Sequence, residues 1–231
     1  MIGFTISLSG IHAGLRRLDV AADNIANSAT PAFKRSRVHQ SDLAAGGARV
    51  DGVRVDYSQG PLEVDDGRFS LAVDGDGFFR VQTPQGERFS RAGAFRVDAA
   101  GRVVTAQGYP LLPGFTLPPE AVGLEVNPQG QVTARLANGQ TQALGAVDVV
   151  RFANPGGLAR EGGSLLSAGP ASGPAVPAAG SSIVFGAVEG SNVDLGDDMV
   201  SLIVSRASVK ANLAALRTKD ETLGEILDLQ G

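Results

Sequence analysis

The sequence predicts an α+β protein in which an N-terminal and a C-terminal helix pair as a coiled coil, with a central antiparallel β-rich domain between them. Three observations lead there. Near the start, apolar residues follow one another at alternating spacings of four and three. Near the end they recur every seven residues, and between the two stretches the period falls to two, with Gly and Asn turn signals at short intervals. The implied divisions are 1–37 for the first helix, 38–188 for the β-rich domain and 189–231 for the last helix, which packs with the first.

In the first segment the stripe runs Phe4, Leu8, Ile11, Leu15, Leu18, Ala22, Ile25 and Ala29. Such a narrow stripe is the seam of a coiled coil; a helix lying on a globular core carries a wider one. Ser7 or Ser9 is a candidate cap for its start. Pro31 disfavours helical backbone at Thr30 and marks its end.

From about Val38 onward, Phe69, Leu71 and Val73 alternate with Ser70 and Ala72; Val122, Leu124 and Val126 alternate with Gly123 and Glu125. Val132, Ala134 and Leu136 repeat the pattern. Turns are signalled at Asp74-Gly75-Asp76-Gly77, Pro84-Gln85-Gly86, Ala100-Gly101, Asn127-Pro128-Gln129-Gly130 and Asn138-Gly139. Short strands joined in this way form antiparallel sheets. Gly169 to Gly180 holds only Gly, Pro, Ala, Ser and one Val, and reads as a loop or mobile connector.

In the last segment Leu195, Leu202, Val209, Leu216 and Leu223 keep a seven-residue repeat. Met199, Leu213 and Leu227 fill the position four residues later in three repeats, while Arg206 and Asp220 interrupt it in the other two. Ser191, Asn192 and Asp194 are candidate N-caps, and Asp197 and Asp198 put negative charge on the first turn, where the helix dipole favours it. Two narrow seams at opposite ends of one chain satisfy each other or those of neighbouring molecules. A solitary amphipathic helix is marginal in water, so the ends are expected to order fully only in an assembly.

Composition narrows the function classes. The 231 residues include no Cys, which removes disulfides and thiolate metal sites. Twenty basic against 24 acidic residues give a net charge of −4, unsuited to a general grip on nucleic acid. The one basic cluster, Lys34-Arg35-Ser36-Arg37, reads as a solvated segment or one meeting acidic groups of a neighbouring subunit. No membrane span is read from the sequence, and the Met1–Leu8 stretch lacks the charged start, long apolar core and cleavage site of a secretory signal. With two histidines, His12 and His39, and no nucleophile elbow, phosphate-binding loop or zinc motif, no catalytic residue, cofactor site or metal site is expected. Asp74-Gly75-Asp76-Gly77 lacks the ligand spacing of a calcium loop and reads as a turn. The amides of Asn24, Asn27 and Asn192 are suited to capping helix ends or fixing register.

These residues also carry a family likeness. Asp19 to Lys34, DVAADNIANSATPAFK, resembles the A-N-N-I-A-N-x-x-T-x-G-F-K signature of bacterial flagellar rod and hook axial proteins, with Asn24, Asn27 and Phe33 at motif positions and Ala32 where the family usually has Gly. Glu189-Gly190-Ser191-Asn192-Val193-Asp194 resembles the start of that family's C-terminal helix. Ala211-Asn212, Arg217-Thr218 and Asp220-Glu221 match its later A-N…R-T-x-D-E. In the centre, Gln59-Gly60-Pro61-Leu62, Asp74 to Phe79 and Arg91-Ala92-Gly93-Ala94-Phe95 resemble Q-G-x-L, G-x-G-F-F and R-A-G-x-F. Phe152 to Leu158 is similar to a segment of the distal rod members, which come ahead of proximal rod and hook members.

The resemblance implies a non-enzymatic subunit of the basal-body rod that polymerises into a helical tube, with the terminal helices inside and the β domain outside, and transmits torque from motor to hook. It implies as partners further copies of the chain, other rod and hook proteins and the flagellar type III export apparatus. It also implies a periplasm-spanning location reached without a cleaved signal, and no direct membrane insertion. A different class, a monomeric module binding cell-wall glycan, needs an aromatic platform for which ten Phe, two Tyr and no Trp are poor material.

Overall fold

The computed structural model describes residues 2–44, 46–65, 67 and 69–228; the side chains at 2, 223 and 225–228 lie outside the described set. The fold is α+β, with a β-rich antiparallel core and N- and C-terminal helices packed on each other. The chain forms two compact units. One comprises Met1–Ser28, Arg35–Asp56 and Val193–Gly231; the other comprises Ala29–Lys34 and Tyr57–Asn192.

In the first unit, helix α1 spans Ile2–Ala26 and helix α2 spans Leu195–Asp228, with 25 and 34 residues. At 1.5 Å per residue α2 is about 51 Å long. Ser7 and Ser9 lie inside α1, where their hydroxyls donate to the carbonyls of Gly3 and Ile6, so neither caps it. Of the candidate caps for α2, Asp194 serves: its Oδ1 accepts from the Asp197 amide at 3.0 Å. Strands β1 (Ser36–Asp42) and β2 (Ala48–Val55) make an antiparallel hairpin packed on α1, and the Ser9 hydroxyl accepts from the Ala48 amide. This hairpin groups with the helices, whereas residues 38–188 read as one β-rich stretch in the sequence.

In the second unit every ladder is antiparallel. One sheet runs in the order 159–162, 165–167, 86–90, 78–83, 149–151 and 176–177, with 111–112 also paired to 78–83. A second orders 182–185, 69–74, 94–97 and 103–104; residues 121–126, 131–136 and 141–146 form a three-stranded meander; and 187–189 pairs with 62–64. Because successive side chains of a strand point to opposite faces, Phe78 and Phe79 enter different cores. Phe79 packs with Phe69, Leu71, Val81, Phe95 and Leu111, and Phe78 with Phe89, Val150, Phe152, Leu158 and Leu166. Residues 69–73 are buried on both faces, which their alternation understated.

Four of the five turn signals close hairpins between paired strands. At Asn138-Gly139 the backbone needs φ +82°, which Gly adopts without steric cost. The fifth, Asp74 to Gly77, joins strands of different sheets. Gly169 to Gly180 is no free connector. Val176–Pro177 pairs with the strand 149–151, and the fully buried Ser172 hydroxyl donates to Gly169 O at 2.8 Å.

Candidate assembly interface

The face that α1 turns to α2 is not the apolar stripe but the one beside it. Lys219 Nζ donates to Gly3 O at 2.7 Å, Asn212 lies against Gly10, Val209 lies against Gly14, and Asn24 Nδ2 donates to Asp198 Oδ1 at 3.1 Å. The helices are therefore antiparallel, and the residue numbers of facing partners sum to about 222. On α1 this face comprises Gly3, Ser7, Gly10, Gly14, Arg17, Ala21 and Asn24. On α2 it comprises Asp198, Leu202, Ser205, Val209, Asn212, Leu216 and Lys219. A Cβ at Gly10 would stand 2.9 Å from the Asn212 amide nitrogen, so small residues set the approach distance.

The predicted seam residues fall in three groups. Ile11 is buried, and Leu18, Ile25, Leu202, Val209 and Leu216 are partly buried. Phe4, Leu8 and Leu15 are exposed on α1, as are Leu195, Met199 and Leu213 on α2, joined there by Val200, Ile203 and Val204. Ile203 is 62% and Phe4 54% exposed, a heavy cost for side chains of this kind in a lone chain. Leu223 and Leu227 carry side chains outside the described residues. By length and composition alone, Leu195–Thr222 is long and apolar enough to cross a membrane, a property that the seven-residue repeat did not signal. Arg206, Lys210 and Arg217 inside it would be costly in hydrocarbon.

The motif residues are internal fasteners. Asn24 is fully buried, and its amide exchanges two hydrogen bonds with the Ser36 backbone, each 2.9 Å. Asn27 Nδ2 donates to Asp23 O, and Asn212 Nδ2 to Ser208 O. Asn192 Nδ2 donates to Ser58 O at 2.9 Å, and its amide donates to Phe33 O. Ser191 is half-buried. Phe33 lies under the Arg160 guanidinium, 5.2 Å from the ring centre.

Sequence reasoning missed a buried charge cluster. Glu189 is fully buried, and its Oε1 accepts from Lys34 Nζ at 2.5 Å and from the Gly60 amide at 2.8 Å. Its Oε2 lies 3.4 Å from Arg91 Nη1. Arg91 also donates to Val73 O and Gly75 O. Burial pulls the Arg91 pKa below its ordinary value, with Glu189 and then Asp76 opposing. Three of the central motifs thus converge, and their glycines follow from crowding: a Cβ at Gly60 would overlap Gly190 O, and one at Gly93 would overlap Leu71 O. In the basic run at 34–37, Lys34 and Arg35 are accordingly not solvated, while Arg37 is exposed. Lys34 is buried against Glu189, and Arg35 pairs with Asp198 at 2.9 Å and with Asp197 at 3.4 Å, carboxylates of the same chain. The available signal was the presence of Glu189 and Arg91 within the quoted motifs.

Comparison with known proteins places this arrangement. Residues 72–134 match the flagellar hook protein FlgE/F/G D1 domain, and residues 185–229 match the flagellar basal body rod FlgEFG protein C-terminal region. The flagellar basal-body rod protein FlgG of Bacillus subtilis (strain 168) is 34% identical, with 96% of this chain and 97% of that protein aligned. The FlgG of Agrobacterium fabrum is 32% identical over 96% of each. The flagellar hook protein FlgE of Escherichia coli (strain K12) is 36% identical over 49% of this chain and 29% of its own length. With packed terminal helices, a β-rich core and near-complete alignment to FlgG proteins, the chain belongs to the flagellar basal-body rod protein family.

Proposed function

We propose that this chain is a structural subunit of the flagellar basal-body rod, most like the distal rod members, and that it polymerises into a helical tube transmitting torque from motor to hook. The observation that carries the reading is the pair of exposed apolar strips on α1 and α2, which a lone chain leaves wet and an assembly covers. In this reading α1 and α2 form an antiparallel coiled coil, supported by the alternating spacings of four and three on both facing sides. The seam residues named above then divide between contacts within a chain and contacts to neighbours. Family membership supports basal-body location, contact with other rod and hook proteins, and passage through the flagellar type III export apparatus to a rod spanning the periplasm.

The glycan-binding alternative gains nothing from the structure, since Phe69, Phe78, Phe79, Phe89, Phe95, Phe115 and Phe152 are all buried in the cores. The test is Val204→Asp, which places a charge on the outer face of α2, away from α1. The variant is expected to keep the native circular dichroism and fail to restore motility in a strain lacking its own distal rod protein. Normal motility with this variant would refute the reading.

A further inference from the structure

The two exposed strips differ in place as well as in helix. Phe4, Leu8 and Leu15 lie on the first half of α1, which faces α2 residues from about 207 to 219. The main α2 strip, Leu195 to Val204, lies beside the second half of α1, with exposed Leu213 standing apart from it beside the first half. The strips are therefore offset along the helix pair and cannot cover each other within one chain. Their lengths are comparable: residues 4–15 extend about 17 Å and residues 195–204 about 14 Å. Set antiparallel, as α1 and α2 already are, Leu15 falls opposite Leu195, Leu8 opposite Ile203 and Phe4 opposite Ala207, with residue numbers that sum to about 211.

Charge agrees with that register. Arg16, exposed on α1, comes beside Asp194 and Asp197, which are exposed at the start of α2. Arg206 falls opposite Thr5, away from other charges, while exposed Asp19 comes as near Asp194 as Arg16 does to Asp197. Moving from a sum of 222 to one of 211 is a displacement of 11 residues, or about 16 Å.

Resting on the assembly reading above, we propose that the α2 strip of one copy docks antiparallel on the α1 strip of a second copy displaced by about 16 Å along the helix axis. The contact is heterologous, so each copy still offers one free strip and the assembly propagates. Pairing of two α2 strips with each other would also bury Ile203, but it leaves Phe4, Leu8 and Leu15 in water and closes as a dimer.

The absence of Cys makes the test clean. Within one chain, residues 8 and 203 lie about 16 Å apart along the axis, well beyond the roughly 7 Å Cα separation that a disulfide tolerates. The full chain carrying Leu8→Cys and Ile203→Cys, oxidised at assembling concentration, is expected to give a ladder of dimers, trimers and larger species that collapses on reduction. Leu8→Cys alone and Ile203→Cys alone are expected to give none. Sedimentation of the same samples reports assembly independently. Polymer without a ladder in the double variant overturns this pairing but not the assembly reading. Cross-linked dimers of the Ile203→Cys single variant overturn it in favour of paired α2 strips. A chain that stays monomeric at all concentrations and forms no ladder overturns both.

Discussion

Replacing Glu189 with Gln leaves the shape of the buried cluster intact and removes its fully buried carboxylate. Lys34 keeps its bond to Ser58 O at 2.7 Å, and Arg91 keeps its bonds to Val73 O and Gly75 O. Two cations, with side chains 5% and 4% exposed, then lose the Glu189 carboxylate, while Asp76 still acts on Arg91. Breaking a buried pair from one side costs about 3–5 kcal/mol, because the remaining charge stays desolvated. Against a domain stability of roughly 5–15 kcal/mol that is a large fraction. Both tyrosines, Tyr57 and Tyr109, belong to the unit that holds the cluster, so near-ultraviolet circular dichroism follows its unfolding. With a urea dependence of about 2 kcal/mol per molar, the midpoint is expected to fall by about 1.5–2.5 M. Adding Lys34→Met to the variant is expected to recover part of the loss, which a double-mutant cycle measures. A midpoint shift below about 0.3 M, the size expected for an exposed ion pair, would refute the reasoning.

Two further outcomes are expected. Ala32 holds φ +57° where the family usually has Gly. Relief of that backbone penalty, about 1–2 kcal/mol, offsets the added freedom of the unfolded chain, about 0.4–1 kcal/mol, together with the lost methyl burial, about 0.8 kcal/mol. Ala32→Gly should therefore lie within about 0.5 kcal/mol of the parent, whereas Ala32→Val, β-branched at positive φ, should lose about 2 kcal/mol or more in urea unfolding. The Tyr57 hydroxyl is buried without a hydrogen bond, and burial raises its pKa, with Arg160 opposing. Its neutral form is thus favoured by folding: the contribution is complete below the unfolded value near 10 and is lost as pH climbs through the folded one. Phenolate absorbance should show a late step that disappears in Tyr57→Phe, a variant at least as stable as the parent at neutral pH; a single unshifted step for both tyrosines would contradict this.

Element types were legible in the sequence because their signals are local. Asn138-Gly139 and Pro84-Gln85-Gly86 specify their hairpins within a few residues. The α1 face that pairs within the chain was not legible, whereas on α2 the seam positions Leu202, Val209 and Leu216 do lie on the facing side. Apolar periodicity marks surfaces that end up buried somewhere, and Phe4, Leu8 and Leu15 carry that mark although they are wet in the single chain. The stripe that meets α2 consists of Gly, Ser, Ala, Arg and Asn, which a search for hydrophobic residues passes over. Lys34 and Glu189 were opaque for another reason: they stand 155 residues apart, and nothing local tells a buried charge from a solvated one.

The small-residue stripe on α1 has a thermodynamic consequence. Contacts through Gly3, Gly10, Gly14 and Ala21 bury little apolar surface of α1, so the hydrophobic gain of the pair comes mainly from Leu202, Val209 and Leu216 of α2. In the proposed assembly the exposed side chains of both helices add to that gain when a second copy covers them. In that proposed assembly the melting temperature of the terminal helices is expected to depend on protein concentration, as mass action requires when binding and ordering are linked. A dilute chain and a polymerised one would share the same β core yet differ in how firmly their ends are held.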